Sequence, residues 1–178
     1  MTEPKAPIVN IATVLDDPAL TDTNAPGGGF EARLGFIGKA LGTRRLGINV
    51  TVVPAGKKAW PRHYHYANDE LFVVLEGRGT LHYGDADHPL RAGDVVHIEA
   101  GTGIPFQIEN TADEELRYLA LSTLDHPDVF VYPDSDKIGV MAGGGPMREA
   151  SDPTKPKLVR FIRADMQVGY WDGEVDDT

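Results

Sequence analysis

Apolar and polar positions alternate over short distances along this chain. INVTVVP (Ile48 to Pro54), ELFVVLEG (Glu70 to Gly77), TLHYG (Thr80 to Gly84), DVVHIEAG (Asp94 to Gly101), FQIEN (Phe106 to Asn110) and LRYLALS (Leu116 to Ser122) are short and rich in Val, Ile, Leu and aromatics. Turn dipeptides such as Glu76-Gly77, Gly84-Asp85 and Ala92-Gly93 separate them. Short strands recurring every roughly 8–12 residues with turn signals between them predict an all-β sandwich or barrel. No helical period of useful length lies between the strands, so a parallel βαβ fold is not expected. The run LFVVL is apolar on both faces, so its outer face needs a cover, either an arm or a second subunit, and a homodimer is expected.

The flanks read differently. From Met1 to about Gly42, Pro4, Pro7, Pro18, Pro26 and the Gly27-Gly28-Gly29 run leave only short extended pieces, so residues 1–44 form an arm to a barrel at 45–125. A C-terminal extension, 126–178, is expected to pack on the barrel. It holds the Gly143-Gly144-Gly145-Pro146 break, the polar stretch REASDPTKPK, one strand-like alternation (Lys157 to Arg163) and an acidic tail read as solvated, with Tyr170 and Trp171 pinning the segment before it.

Composition narrows the function. The 178 residues carry 17 Lys+Arg against 27 Asp+Glu, a net charge of −10, which repels polyanions and argues against a nucleic-acid partner. With no Cys, any metal must be held by His, carboxylate or amide oxygen. No basic leader precedes an apolar core and no run approaches the ~20 apolar residues that span a bilayer, so a cytoplasmic protein without a membrane partner is expected.

The chemistry concentrates in GKKAWPRHYHYANDELFVVLEG, Gly56 to Gly77. His63 and His65 are two apart, and on an extended strand both point to one face. Glu70 has the wrong parity for the same strand, but Ala67-Asn68-Asp69 reads as a turn that folds the chain back antiparallel and lets Glu70 face the same pocket. Two imidazoles and a carboxylate suit Fe(II), Mn(II), Zn(II) or Ni(II) with coordination positions left open. Taken alone, a His-x-His pair also fits ordinary surface or hydrogen-bonded histidines.

The wider pattern resembles the cupin family. Gly56, His63, His65, Glu70 and Gly77 follow its first motif, and Gly93-Asp94, Gly101, Gly103 and Asn110 follow the frame of its second, over about Leu46 to Ser122. The resemblance implies a double-stranded β-helix, or jelly-roll barrel, and a divalent metal on His63, His65 and Glu70. One position departs: four residues before Asn110, where the family usually has its fourth ligand, stands Phe106. Gln107 substitutes only if a bulge re-aims it, and His82 and His97 are open candidates whose facing the sequence does not fix.

Three functions follow. The first is a metal-dependent enzyme, an oxygenase, isomerase or lyase, on a small organic substrate that is expected to be anionic, since a divalent ion beside one carboxylate leaves about +1 in the pocket. The second is a non-catalytic small-molecule binder whose metal site is degenerate at Phe106. The third is a structural protein with a closed pocket. Asp69, Asp94 and Glu99 are candidates to orient the histidines, and Lys58 and Arg62 to meet an anion, although each also fits a solvated strand edge.

Overall fold

A computed structural model of the chain describes residues 6–143 and 158–174. Pro4, the Gly144-Gly145-Pro146 break, the polar stretch 148–157 and the last acidic residues lie outside them. The six strands expected between residues 48 and 122 form as β3 (Leu46–Val53), β5 (Glu70–Glu76), β6 (Arg78–Tyr83), β8 (Val95–Ile98), β9 (Phe106–Glu109) and β10 (Leu116–Thr123). Two short strands join them, β4 (Tyr64–His65) and β7 (Ala86–Arg91). The strand read at Lys157 to Arg163 is β13 (Leu158–Arg163), and β11 (Asp128–Tyr132) and β12 (Lys137–Ala142) precede it.

The N-terminal segment holds more than extended pieces. It forms helix α1 (Ile11–Asp16), the hairpin β1 (Thr21–Gly27) and β2 (Phe30–Gly35), and helix α2 (Ile37–Leu41). Asn10 Oδ1 accepts the Ala12 amide and starts α1. Gly27, Gly28 and Gly29 all have positive φ, so the glycine run is the hairpin's turn.

Antiparallel pairing arranges one sheet as β1-β2-β3-β10-β5-β8. Facing it, β7-β6-β9 connects through the His63–Phe106 bridge to β4-β11-β12-β13, so two sheets enclose a barrel. Strand alternation fixes what points inward. Phe72 and Val74 from β5, Phe106 and Ile108 from β9, Leu116 and Tyr118 from β10, and Leu81 from β6 make one buried core. On the outer face of β3, Val50 and Val52 pack with Val14, Leu15, Ile37 and Ala40 of the two helices, and Leu75 and Leu119 join them. The N-terminal arm is therefore the cover that the two-sided hydrophobicity of β5 required.

The C-terminal end does not follow its reading. Beyond β12 the described chain is held mainly by the β12–β13 ladder, and Tyr170 and Trp171, 87% and 65% exposed, contact each other rather than pinning the segment to the barrel. Among the described residues no helix is long and apolar enough to cross a membrane.

Asn110 closes the second sequence motif with no exposed surface. Its Nδ2 donates to Val53 O and Glu114 O at 2.8 and 2.7 Å, and its Oδ1 accepts from Ala112 N at 3.0 Å. Replacing Asn110 with Ala strands buried backbone groups, so a loss of about 2–4 kcal/mol is expected in urea unfolding. A loss under about 1 kcal/mol would show that this network is not what ties β9 to β3.

Candidate metal centre

The order of strands brings three donors together from two sheets. His63 bridges β9, with its amide to Phe106 O at 3.1 Å and its carbonyl accepting Phe106 N at 2.8 Å. His65 lies on β4, which pairs with β11. Glu70 opens β5 in the facing sheet, on the same face as Phe72 and Val74. The expected hairpin is thus a crossing: Ala67-Asn68-Asp69 carries the chain between sheets, and β4 and β5 do not pair. Asn68 holds that crossing, accepting from Asp125 N and Thr123 Oγ1 at 2.7 and 3.1 Å. One donor atom from each of His63, His65 and Glu70 lies within 4.8 Å of the others.

Each imidazole is held through Nδ1. His63 Nδ1 donates to Pro61 O at 2.8 Å, and His65 Nδ1 to Asp128 Oδ2 at 2.6 Å. Both acceptors require the proton on Nδ1, which leaves the Nε2 of each imidazole, when neutral, with a free lone pair. His65 Nε2 is 3.9 Å from Glu70 Oε1. Rings fix the planes: Phe106 lies 4.8 Å from His63, Tyr132 stacks on His63 at 5.6 Å, and Phe130 lies 5.5 Å from His65.

The electrostatics lean toward a cation. Burial, reinforced by His65, pulls His63 down to about 4, so it is a neutral base at physiological pH. Burial works against His65 as well, but the hydrogen bond to Asp128 and the charges of Glu70 and Asp128 hold it above its ordinary value. Burial pushes the Glu70 carboxyl up, His65 opposes this and Asp128 adds to it. Asp128 lies below its usual range because bonds from His65, Asn68 and the Ala67 amide outweigh burial. Two carboxyl groups and two imidazoles thus share a shielded site, a donor set that a divalent ion would satisfy. The donor set fits such an ion.

The other residues singled out are placed as follows. Phe106, 3% exposed, is a wall against His63, and Gln107 borders the cavity but gives its Nε2 to Trp60 O at 2.7 Å. His82 is engaged away from the cluster by Asp87 and Glu109, at 2.6 and 3.0 Å, and exposed His97 lies 3.7 Å from Asp69. Of the expected orienting carboxylates none reaches His63 or His65. Asp69 accepts Ala100 N, Asp94 accepts Arg91 N, and Glu99 is exposed. The carboxylate that does is Asp128, 63 residues beyond His65 in sequence. Lys58 pairs with Glu109 and Arg62 with Asp134, so neither is presented to the cluster. The cluster opens into a cavity of about 660 Å³ that also reaches Arg44, Asn49, Ser122 and Tyr132.

The His63 value makes stability pH-dependent. Unfolded, this imidazole titrates near 6.5; folded, near 4. Between these values the unfolded chain binds the extra proton, so stability rises with pH across that window and is lost on acidification, by about 3 kcal/mol at most. Urea midpoints of chelator-treated protein should fall from pH 6.5 to 4, and His63→Gln should flatten the slope. Equal slopes in both proteins would remove His63 as its source.

Comparison with known proteins agrees with this architecture. The cupin domain matches residues 49–122. An oxalate-binding protein of Thermotoga maritima is 36% identical over 62 residues, 35% of this chain and 50% of that protein. The chain spans about half the length of the curated relatives it matches. A structure described as a putative sugar phosphate isomerase of Acidithiobacillus ferrooxidans superposes with a TM-score of 0.71 at 22% identity, covering 90% of this chain and 95% of that one. A sugar phosphate isomerase from a cupin superfamily, of Silicibacter pomeroyi, gives 0.68 at 22%, covering 88% and 96%. At such identity the likeness is one of fold, and it extends beyond the barrel into the flanking segments. With its two motifs on a jelly-roll barrel, the chain carries a cupin domain over residues 49–122.

Proposed function

We propose that this cupin is a metal-dependent protein acting on a small anionic organic molecule, with a divalent Fe, Mn, Zn or Ni ion held by His63, His65 and Glu70. The observation that carries the reading is the pair of Nδ1-anchored imidazoles whose Nε2 atoms converge with Glu70 at the wall of a 660 Å³ cavity. A bound ion there supplies Lewis-acid or oxygen-activating chemistry. The chain's own part is positional. Asp128 and Pro61 O hold the ligand rings, and Phe106, Phe130 and Tyr132 keep water from one side of them. Burial and the Glu70 charge raise the Tyr132 phenol to about 12, so its Oη keeps its proton and offers a donor to a ligand at neutral pH. The relative that binds oxalate supports a carboxylate ligand.

A second reading rests on Phe106. An apolar ring where a fourth donor would stand favours a small-molecule binder without catalysis. Elemental analysis of tag-free protein purified without chelators separates the readings. Near-stoichiometric metal that is lost in a His63→Ala, His65→Ala double variant supports the metal site, and no metal in either leaves the binder. Glu70→Ala should lower metal affinity sharply while the fold survives. Asp128→Asn should cost about 10–100-fold in affinity by releasing His65; an unchanged affinity would make Asp128 structural only.

The same proposal places the protein in the cytoplasm as a homodimer. Leu158 and Ile162 share one face of β13 and, with Met166 and Val168 beyond it, are 42–73% exposed, apolar surface that a second copy would cover. Light scattering at micromolar concentration should give twice 19.3 kDa; a monomer mass rejects the dimer.

A further inference from the structure

The cavity's charged groups are divided between its two ends. Glu70 and Asp128 are the only carboxylates on its wall among the described residues, and both belong to the histidine cluster. Toward the mouth the charged lining is Lys39 and Arg44, in a chain whose net charge is −10. Lys39 Nζ donates to Ala19 O at 3.2 Å. Arg44 is exposed and makes no hydrogen bond or ion pair with another described residue.

Its position is nonetheless built. After α2, Gly42 takes φ +73° and returns its amide to Gly38 O at 2.8 Å, Thr43 N follows to the same carbonyl at 3.0 Å, and Thr43 Oγ1 donates to Leu46 O at 2.7 Å. These bonds bracket Arg44 and fix where its side chain starts. Between it and the cluster runs a polar track. Ser122 is in register with Glu70 on one side and Gly47 on the other, and Asn49 follows two residues after Gly47 on the same face. Both side chains line the cavity half-buried, with no partner among the described residues. A side chain at Gly47 would collide with Ser122 Oγ at 2.6 Å, so the glycine keeps that hydroxyl's space clear.

We propose that Arg44 binds a second anionic group, a carboxylate or a phosphate, at the far end of a small hydroxylated acid whose first end reaches the His63–His65–Glu70 cluster. Ser122 and Asn49 then meet the hydroxyl or carbonyl groups between the two ends. A guanidinium suits either anion through paired N–H donors, and its place at a cavity mouth lined without carboxylates strengthens the attraction. This assignment rests on the proposed function for the chemistry at the inner end.

Calorimetric titration of the protein as purified with gluconate, glucarate and gluconate 6-phosphate tests it, because the three share a hydroxylated six-carbon chain and differ at the far end. At least one doubly charged probe should bind tenfold or more tightly than gluconate, and which one does so identifies carboxylate or phosphate. Arg44→Glu should erase that preference, so that in the variant neither doubly charged probe binds more tightly than gluconate; Ser122→Ala should weaken all three. Equal binding of the three probes, no binding of any, or a preference that survives Arg44→Glu would each overturn the assignment. Metal content is measured on the same samples. Metal present with no Arg44 effect overturns this inference alone, whereas no metal with an intact Arg44 effect overturns the metal reading and leaves the anion site standing.

Discussion

The contact between Asp128 and His65 is the joint on which the site depends. One carboxylate oxygen takes the His65 Nδ1 proton and the other takes the Ala67 amide, so the same residue sets the imidazole's tautomer and the start of the turn that follows it. Because Asp128 lies on β11, outside the span that matches the cupin domain, the geometry of the His63–His65–Glu70 cluster is completed by the C-terminal extension. Its own alternation continues the argument. Asp128, Phe130 and Tyr132 share one face of β11, so a single strand supplies an orienting carboxylate and two aromatic walls.

Strand parity was the part of this chain most open to reading from sequence. A period of two put His63 and His65 on one face and gave the six central strands close to their true places. It also gives Glu70 its inward direction once the intervening residues form a turn. The turn's nature was not legible. Whether a short polar break returns a strand along its neighbour or carries it to the facing sheet depends on partners far away, here Thr123 and Asp125 on Asn68.

The same limit explains the other misses. Asp128 stands among ordinary turn residues, and only the pairing of β4 with β11 brings it to His65. Lys58 and Arg62 look like cations free to meet a ligand until Glu109 and Asp134 come opposite them. Tyr170 and Trp171 look like anchors because large aromatics usually bury, yet they extend past the last described strand, exposed and in contact with each other. The N-terminal helices are too short for a helical period to show, and their burial comes from the outer face of β3, which local sequence does not reveal.

The outermost strand carries a consequence for the cavity's shape. Phe161 of β13 packs edge-on against Phe130 at 5.7 Å and borders the cavity, yet among the described residues its strand is hydrogen-bonded on one side only, to β12. Backbone amides of such a strand are released to solvent at lower free energy than those of the central strands. That wall of the cavity is therefore held less firmly than the rest, whereas His63 and His65, bonded to β9 and β11, are fixed in their spacing.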